Sequence, residues 1–220
     1  MISRRLAVLV ALVTMASGCV TVANKPLPQD AAEKLPGKSF VPTRYAKPDF
    51  TAMTAGKAAF GLIGVAAMVK AGNDIVNQNQ VADPAVGIST AIASRLVEKR
   101  NMTEVPAGDA TAANDQLAVL ATTFPNADYL LDVKTMSWMF GYYPGNWSHY
   151  RVLYNARIRL IDASTKDVLA ESMCKAAPVD DQNPPTRDQL LENEAALLKQ
   201  YLDKATTDCV EVLSTQVLGL

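Results

Sequence analysis

Few side chains in this sequence are equipped for covalent or acid–base chemistry. The candidates are Cys19, Cys174 and Cys209, the single histidine His149, and carboxylates scattered along 220 residues. A protein zinc site takes three or four N, S or O ligands, so one histidine without a cysteine cluster supplies no metal centre. A serine or cysteine triad would have to use His149, and no Gly-x-Ser-x-Gly elbow is present to carry the nucleophile. No Gly-x-x-x-x-Gly-Lys-Ser/Thr loop offers itself to a phosphate, and no carboxylate spacing marks an acid/base pair. The reading is therefore non-enzymatic, with no catalytic residue, metal or cofactor assigned. An unrecognised hydrolase using dispersed carboxylates stands as a remote alternative.

Cys19 has the most informative surroundings. Arg4 and Arg5 precede an apolar run over residues 6–15, and Ala16-Ser17-Gly18 leads directly into the cysteine. A basic end, a short apolar core and small residues make a signal-peptide pattern, and a run this short cannot span a bilayer. The segment resembles the lipobox of bacterial lipoproteins. That resemblance implies diacylglycerol on Cys19, cleavage before it and acylation of the new amino terminus, so a covalent lipid is the only non-protein group expected. Several acyl chains make anchoring effectively permanent. Val20 in place of aspartate implies the outer membrane, with the body facing the periplasm. Charge excludes one class of partner: 21 Lys and Arg against 22 Asp and Glu leave no basic excess for nucleic acid.

The elements that must position the rest read in order. Residues 1–18 are the lipoprotein signal peptide. Residues 19–54 hold the lipidated cysteine and a tether interrupted by Pro26, Pro28, Pro36, Pro42 and Pro48, with an extended edge segment over 38–45. Residues 55–80 form a Gly/Ala-rich helical segment containing Gly61 and Gly64. Its small residues suit close helix packing, against another copy or within the chain, with partial membrane insertion as a further alternative. Residues 81–220 form the α/β domain. There Asp83-Pro84 opens a helix with Ile88, Ile92 and Leu96 on one face, and a second apolar stripe reaches Phe124 before Pro125.

Three strands follow, over 127–138, 149–161 and 168–174, the second alternating with Tyr150, Val152, Tyr154, Ala156, Ile158 and Leu160 on one face. Thr186 and Gln189 make a capping box for a last helix. The fold class is α/β (α+β): an antiparallel three-strand meander in a mixed sheet, helices packed on one face, preceded by the tether and the Gly/Ala helix. Cys174 on the third strand and Cys209 on the last helix both face inward. In an oxidising compartment they form a disulfide candidate, the alternative being two buried thiols.

Thirteen residues, 138–150, hold Trp138, Phe140, Tyr142, Tyr143, Trp147 and Tyr150, six of the fourteen Trp, Tyr and Phe. Gly141, Pro144, Gly145 and Asn146 place them at a hairpin connection. Exposed aromatics at a turn would be binding anchors; folded back, they would be a local cluster.

The order of elements, with Ala127-Asp128-Tyr129-Leu130-Leu131-Asp132, Leu160-Ile161-Asp162 and Thr165-Lys166-Asp167 at comparable places, resembles the α/β domain of the CsgG, LpoB and DUF799 lipoprotein group. The resemblance covers roughly residues 83–217 and implies no enzymatic activity in this domain. Together these readings describe a lipid-anchored envelope binding or assembly module presenting an aromatic hairpin to a protein or peptidoglycan partner. The alternative is a subunit of a homo-oligomer assembled through the Gly/Ala helix.

Overall fold

The computed structural model describes residues 24–220; the signal segment and Cys19 lie outside the described residues. Its organising element is one long hairpin, β4 (Tyr129–Tyr143) and β5 (Asn146–Asp162), extended by β6 (Val168–Ala176) into an antiparallel meander. Three short strands complete a six-stranded mixed sheet. β1 (Ser39–Pro42) pairs parallel with Tyr129–Leu131 of β4 and, on its other side, with β3 (Thr103–Glu104). β2 (Thr51–Met53) pairs parallel with Met139–Gly141, further along the same edge of β4.

Alternation of side chains assigns the two faces. Val152, Tyr154, Ala156, Ile158 and Leu160 are fully buried with Leu131, Val133 and Phe140. Over them pack α4 (Pro84–Arg100), through Ile88, Ile92 and Leu96, and α6 (Arg187–Val212), through Leu198, Leu202 and Ala205. α4 starts where Asp83 accepts the Ala85 amide at 3.0 Å with proline at the first helical position. α6 starts with a reciprocal box, Gln189 N–H to Thr186 Oγ1 at 3.3 Å and Thr186 N–H to Gln189 Oε1 at 2.8 Å. Cys174 and Cys209 are joined, with Cα atoms 5.5 Å apart, which ties α6 to β6.

One corner of the opposite face is closed by α5 (Leu117–Thr123), where Leu120 and Phe124 meet Val41, Leu130 and Ile161. Beside that corner Asp132 is fully buried. It accepts from Arg159 Nε at 2.8 Å, Thr43 Oγ1 at 2.9 Å and the Tyr45 hydroxyl, with Arg157 Nη2 at 3.4 Å. Arg157 also reaches Asp115 at 2.9 Å. Arg157 and Arg159, which alternation sets on the face away from the core, are therefore buried in an ion network.

The proline-rich stretch is corrected by the structure: from Lys25 onward it is part of the folded body and not a free tether. Lys25 and Glu171 exchange backbone hydrogen bonds at 2.7 and 2.9 Å, α1 (Gln29–Ala32) follows, and Phe40 and Phe50 are fully buried. The physical reason is that prolines stop a helix but are tolerated at strand ends: Pro42 is the last residue of β1, and Pro36 and Pro48 lie outside β1 and β2. The boundary at residue 81 dissolves with it, because strands on both sides of that point share one sheet.

The 174–209 bond closes a loop of 35 residues. Replacing both cysteines by serine should lower unfolding free energy by roughly 3–4 kcal/mol in urea titrations, the chain-entropy value for a loop of that size.

Candidate functional site

The hairpin turn is Pro144-Gly145, and Gly145 has φ +87°, the left-handed position that follows proline in a type II turn. Tyr143 pairs with Asn146, but the next pair is Tyr142 with Tyr150, so Trp147, Ser148 and His149 form a bulge on one strand only. This register shift leaves Trp147 68% exposed.

The other aromatics do not share its exposure, and most of the predicted binding cluster is corrected. Trp138, Phe140 and Tyr150 are buried. Phe50 stands edge-on to Trp138 at 4.9 Å and tilted to Phe140 at 5.8 Å, while Phe140 meets Tyr150 edge-on at 5.6 Å. Trp138 Nε1 donates to the Pro48 carbonyl at 3.2 Å, so even its polar handle is satisfied inside. Tyr142 packs partly against the same core. Tyr143 donates to Asp181 Oδ1 at 2.5 Å, and burial together with that carboxylate pushes its phenol up to about 12. His149 Nδ1 lies 2.8 Å from Asn146 Oδ1 and 3.0 Å from Ser148 Oγ, contacts internal to the bulge. Among the described residues, no carboxylate is hydrogen-bonded to it and no His/Cys/Asp/Glu group suits a metal ion.

β2 leads past Gly141 into α2 (Ala55–Ala58), after which α3 (Gly61–Gln78) runs back along it. Close approach within the chain uses the small residues. A Cβ on Gly72 would sit 1.9 Å from the Phe50 carbonyl oxygen, and one on Gly64 would sit 1.9 Å from that of Lys57. Gly64 is therefore committed to α2, which corrects its assignment as a contact between copies. Gly61, with φ +55°, has open space around it. The apolar residues beside it point outward: Phe60 is 71%, Leu62 89% and Ile63 81% exposed, and Val65 joins them. Composition had marked this segment for packing; the outward ridge needed the return of α3 along β2 to be seen. Among the described residues, no helix is long and apolar enough to cross a membrane.

A cleft of about 630 Å³ lies elsewhere, between the β1–β2 connection, the first turns of α4 and the loop after β3. Its wall is set by the Asp132 bonds to Thr43 and Tyr45. At its base Asp83 accepts from Thr135 Oγ1 at 2.5 Å, which in turn lies 2.9 Å from the Tyr154 hydroxyl. Burial pushes the Asp83 carboxyl above its ordinary range, against those hydrogen bonds and the attraction of Lys47. Sequence reasoning had seen Asp83 only as a helix cap; no local signal announces that the cleft opens beside it.

No family model and no curated protein matches the chain. Solved structures similar to it include the PelC dodecamer from Paraburkholderia phytofirmans, at 14% identity over 90% of this chain and 97% of that one, with a TM-score of 0.40. Others are the LpoB C-terminal domain from Salmonella enterica (10% identity, 64% and 84% covered, TM-score 0.31) and lipoprotein GNA1162 from Neisseria meningitidis (11%, 79% and 98%, 0.31). At these identities and scores the likeness carries no functional argument, and function is argued below from the residues.

The two tryptophans should separate cleanly in thermal and urea unfolding. Trp138→Ala, which empties a fully enclosed site, should cost ~3–5 kcal/mol, whereas Trp147→Ala should stay within about 0.5 kcal/mol of wild type.

Proposed function

We propose that this chain is a lipid-anchored, non-enzymatic module of the bacterial envelope, bonded to the outer membrane through Cys19, which presents the apolar end of its hairpin to a protein partner. The observation that carries the reading is the exposed ridge of Phe60, Leu62 and Ile63 at the same end of the sheet as Trp147. A contiguous exposed apolar surface marks an interaction site, and Trp is among the commonest interface anchors.

Reach favours a protein over the anchoring bilayer as the occupant. Lys25 lies six positions after Cys19, so an acylated cysteine would lie at most about 22 Å from the Lys25–Glu171 bridge. Glu171 is level with Arg159 and Asp132, and eleven residues of β4 separate Asp132 from Tyr143, about 35 Å of strand. Lys25 also sits beyond β6, at the sheet edge remote from β2. An anchor at Cys19 would thus sit at the end of the hairpin away from the apolar end, which supports a protein as the occupant. Aliphatic side chains without hydrogen-bonding groups suit a protein surface better than a glycan. The second reading, self-assembly, uses the same ridge with another copy as partner.

A photo-crosslinking residue placed at Trp147 in intact cells should yield discrete protein adducts that disappear when Leu62→Asp and Ile63→Asp are added. Adducts of twice the chain's own mass would select self-assembly. Adducts to lipid alone, or protein adducts indifferent to the two aspartates, would contradict the proposal.

A further inference from the structure

Near its start α6 is broken by backbone that L-residues rarely adopt. Glu192 is extended, and Asn193, Glu194 and Ala195 follow in the left-handed region at φ +51°, +59° and +58°. Outside glycine each such residue is disfavoured roughly tenfold against the right-handed helix, and it normally occurs singly. Here three stand in a row, and none is glycine.

The local sequence favours another shape. Residues 187–200 read Arg-Asp-Gln-Leu-Leu-Glu-Asn-Glu-Ala-Ala-Leu-Leu-Lys-Gln, in which only Asp188 and Asn193 are weak helix formers. In one continuous right-handed helix Leu191, Ala195, Leu198 and Leu202 would share a face. A strong local preference overridden by the observed backbone marks a strained site with a competing arrangement.

The two sides of the break are held differently. Beyond it, Leu198 and Leu202 are buried and Cys209 is bonded to Cys174 of β6, so the long part of α6 is fixed. Before it, residues 177–191 form a strap across the hairpin tip. β6 pairs with β5 only as far as Tyr154, and the strap crosses the β5 edge beyond that point. Tyr150 N–H donates to the Pro185 carbonyl at 2.8 Å, His149 bridges to Thr186, and the Tyr143 hydroxyl donates to Asp181. Val179, Pro185 and Leu190 are its buried residues. Pro184 and Pro185 carry no N–H, so this contact cannot grow into a ladder.

We propose that residues 192–195 are a strained joint and that the strap leaves β5 when α6 straightens, giving the hairpin tip a covered and an open state. Enclosure of Val179, Pro185 and Leu190 offsets the strain in the covered state. In the open state the Thr186–Gln189 box travels with the helix, and the β5 edge at His149 and Tyr150 is bare. The joint works whatever the tip binds, and its test needs no partner.

Amide hydrogen exchange in the full chain, purified in detergent, reads the open population through Tyr150 N–H. In wild type that amide should exchange roughly a hundredfold or more faster than those of Ala156–Leu160. Its rate should depend little on urea, because lifting the strap exposes little surface. Asn193 and Glu194 are exposed, so substitutions there leave the core packing untouched. Glu194→Gly relieves the strain and should slow Tyr150 exchange roughly fivefold to tenfold. Asn193→Ala removes the residue that best tolerates the left-handed region and favours the helix. It should speed exchange by about the same factor, with the backbone couplings of Glu194 and Ala195 moving toward right-handed helical values. Faster exchange in Glu194→Gly, the sign expected for glycine inside an ordinary helix, would overturn the proposal. So would wild-type Tyr150 exchange as slow as that of Ala156–Leu160, or a rate that responds alike to both substitutions or to neither.

Discussion

The structure depends on a mismatch of strand lengths. β4 and β5 run for 15 and 17 residues, while the strands on the open side of β4 contribute four and three. Two short strands cannot cover one long edge. The chain solves this by pairing at both ends of β4 and leaving the middle to a loop. The cleft, the placing of α3 and the projection of the hairpin tip all follow from that arrangement. The length of the hairpin also separates the end near Lys25 from the end bearing Trp147.

A ribbon that long survives because both of its faces are enclosed where it matters. On one face Phe50, carried in by the β1–β2 connection, joins Trp138 edge-on and Phe140 at a tilt, and these contacts weld β2 to the hairpin. On the other face the buried carboxylate of Asp132 gathers two arginines, a threonine and a tyrosine. Such a network is conditional, since removing one partner strands charge in a low-dielectric site. It also fixes residues 43–45, which form a wall of the cleft. The polar face of the sheet is thus no idle surface; it holds the site wall in register.

Much of this was legible in the sequence wherever a local rule operates. Asp83-Pro84, the box of Thr186 with Gln189, and the alternation from Tyr150 to Leu160 each describe a contact made within a few residues or a strict period of two, and each corresponds to an element in the structure. The aromatic run misled because its residues were assigned to a turn by the nearby Gly and Pro. β4 in fact continues through Trp138 and Phe140 to Tyr143, and the turn takes only Pro144-Gly145. Nothing local distinguishes Trp138 from Trp147; what separates them is Phe50, 88 positions before the first, and a register shift after the second. The cleft was illegible for the same reason. It is defined by strands that do not meet: among the described residues none pairs with residues 132–138 on the β4 edge opposite β5, and that depends on where β1 and β2 dock.

The proposed function stands or falls on the separation between the proposed anchor at Cys19 and the tip. Trp147 is the exposed tryptophan and Trp138 is enclosed, so the chain carries its own depth probe. The protein carrying the proposed lipid on Cys19, reconstituted in vesicles containing brominated phospholipid, gives the direct measurement. An apolar end held off the bilayer predicts tryptophan emission unchanged from that in unbrominated vesicles. Strong quenching of Trp147 would place the tip in the membrane and contradict the central claim.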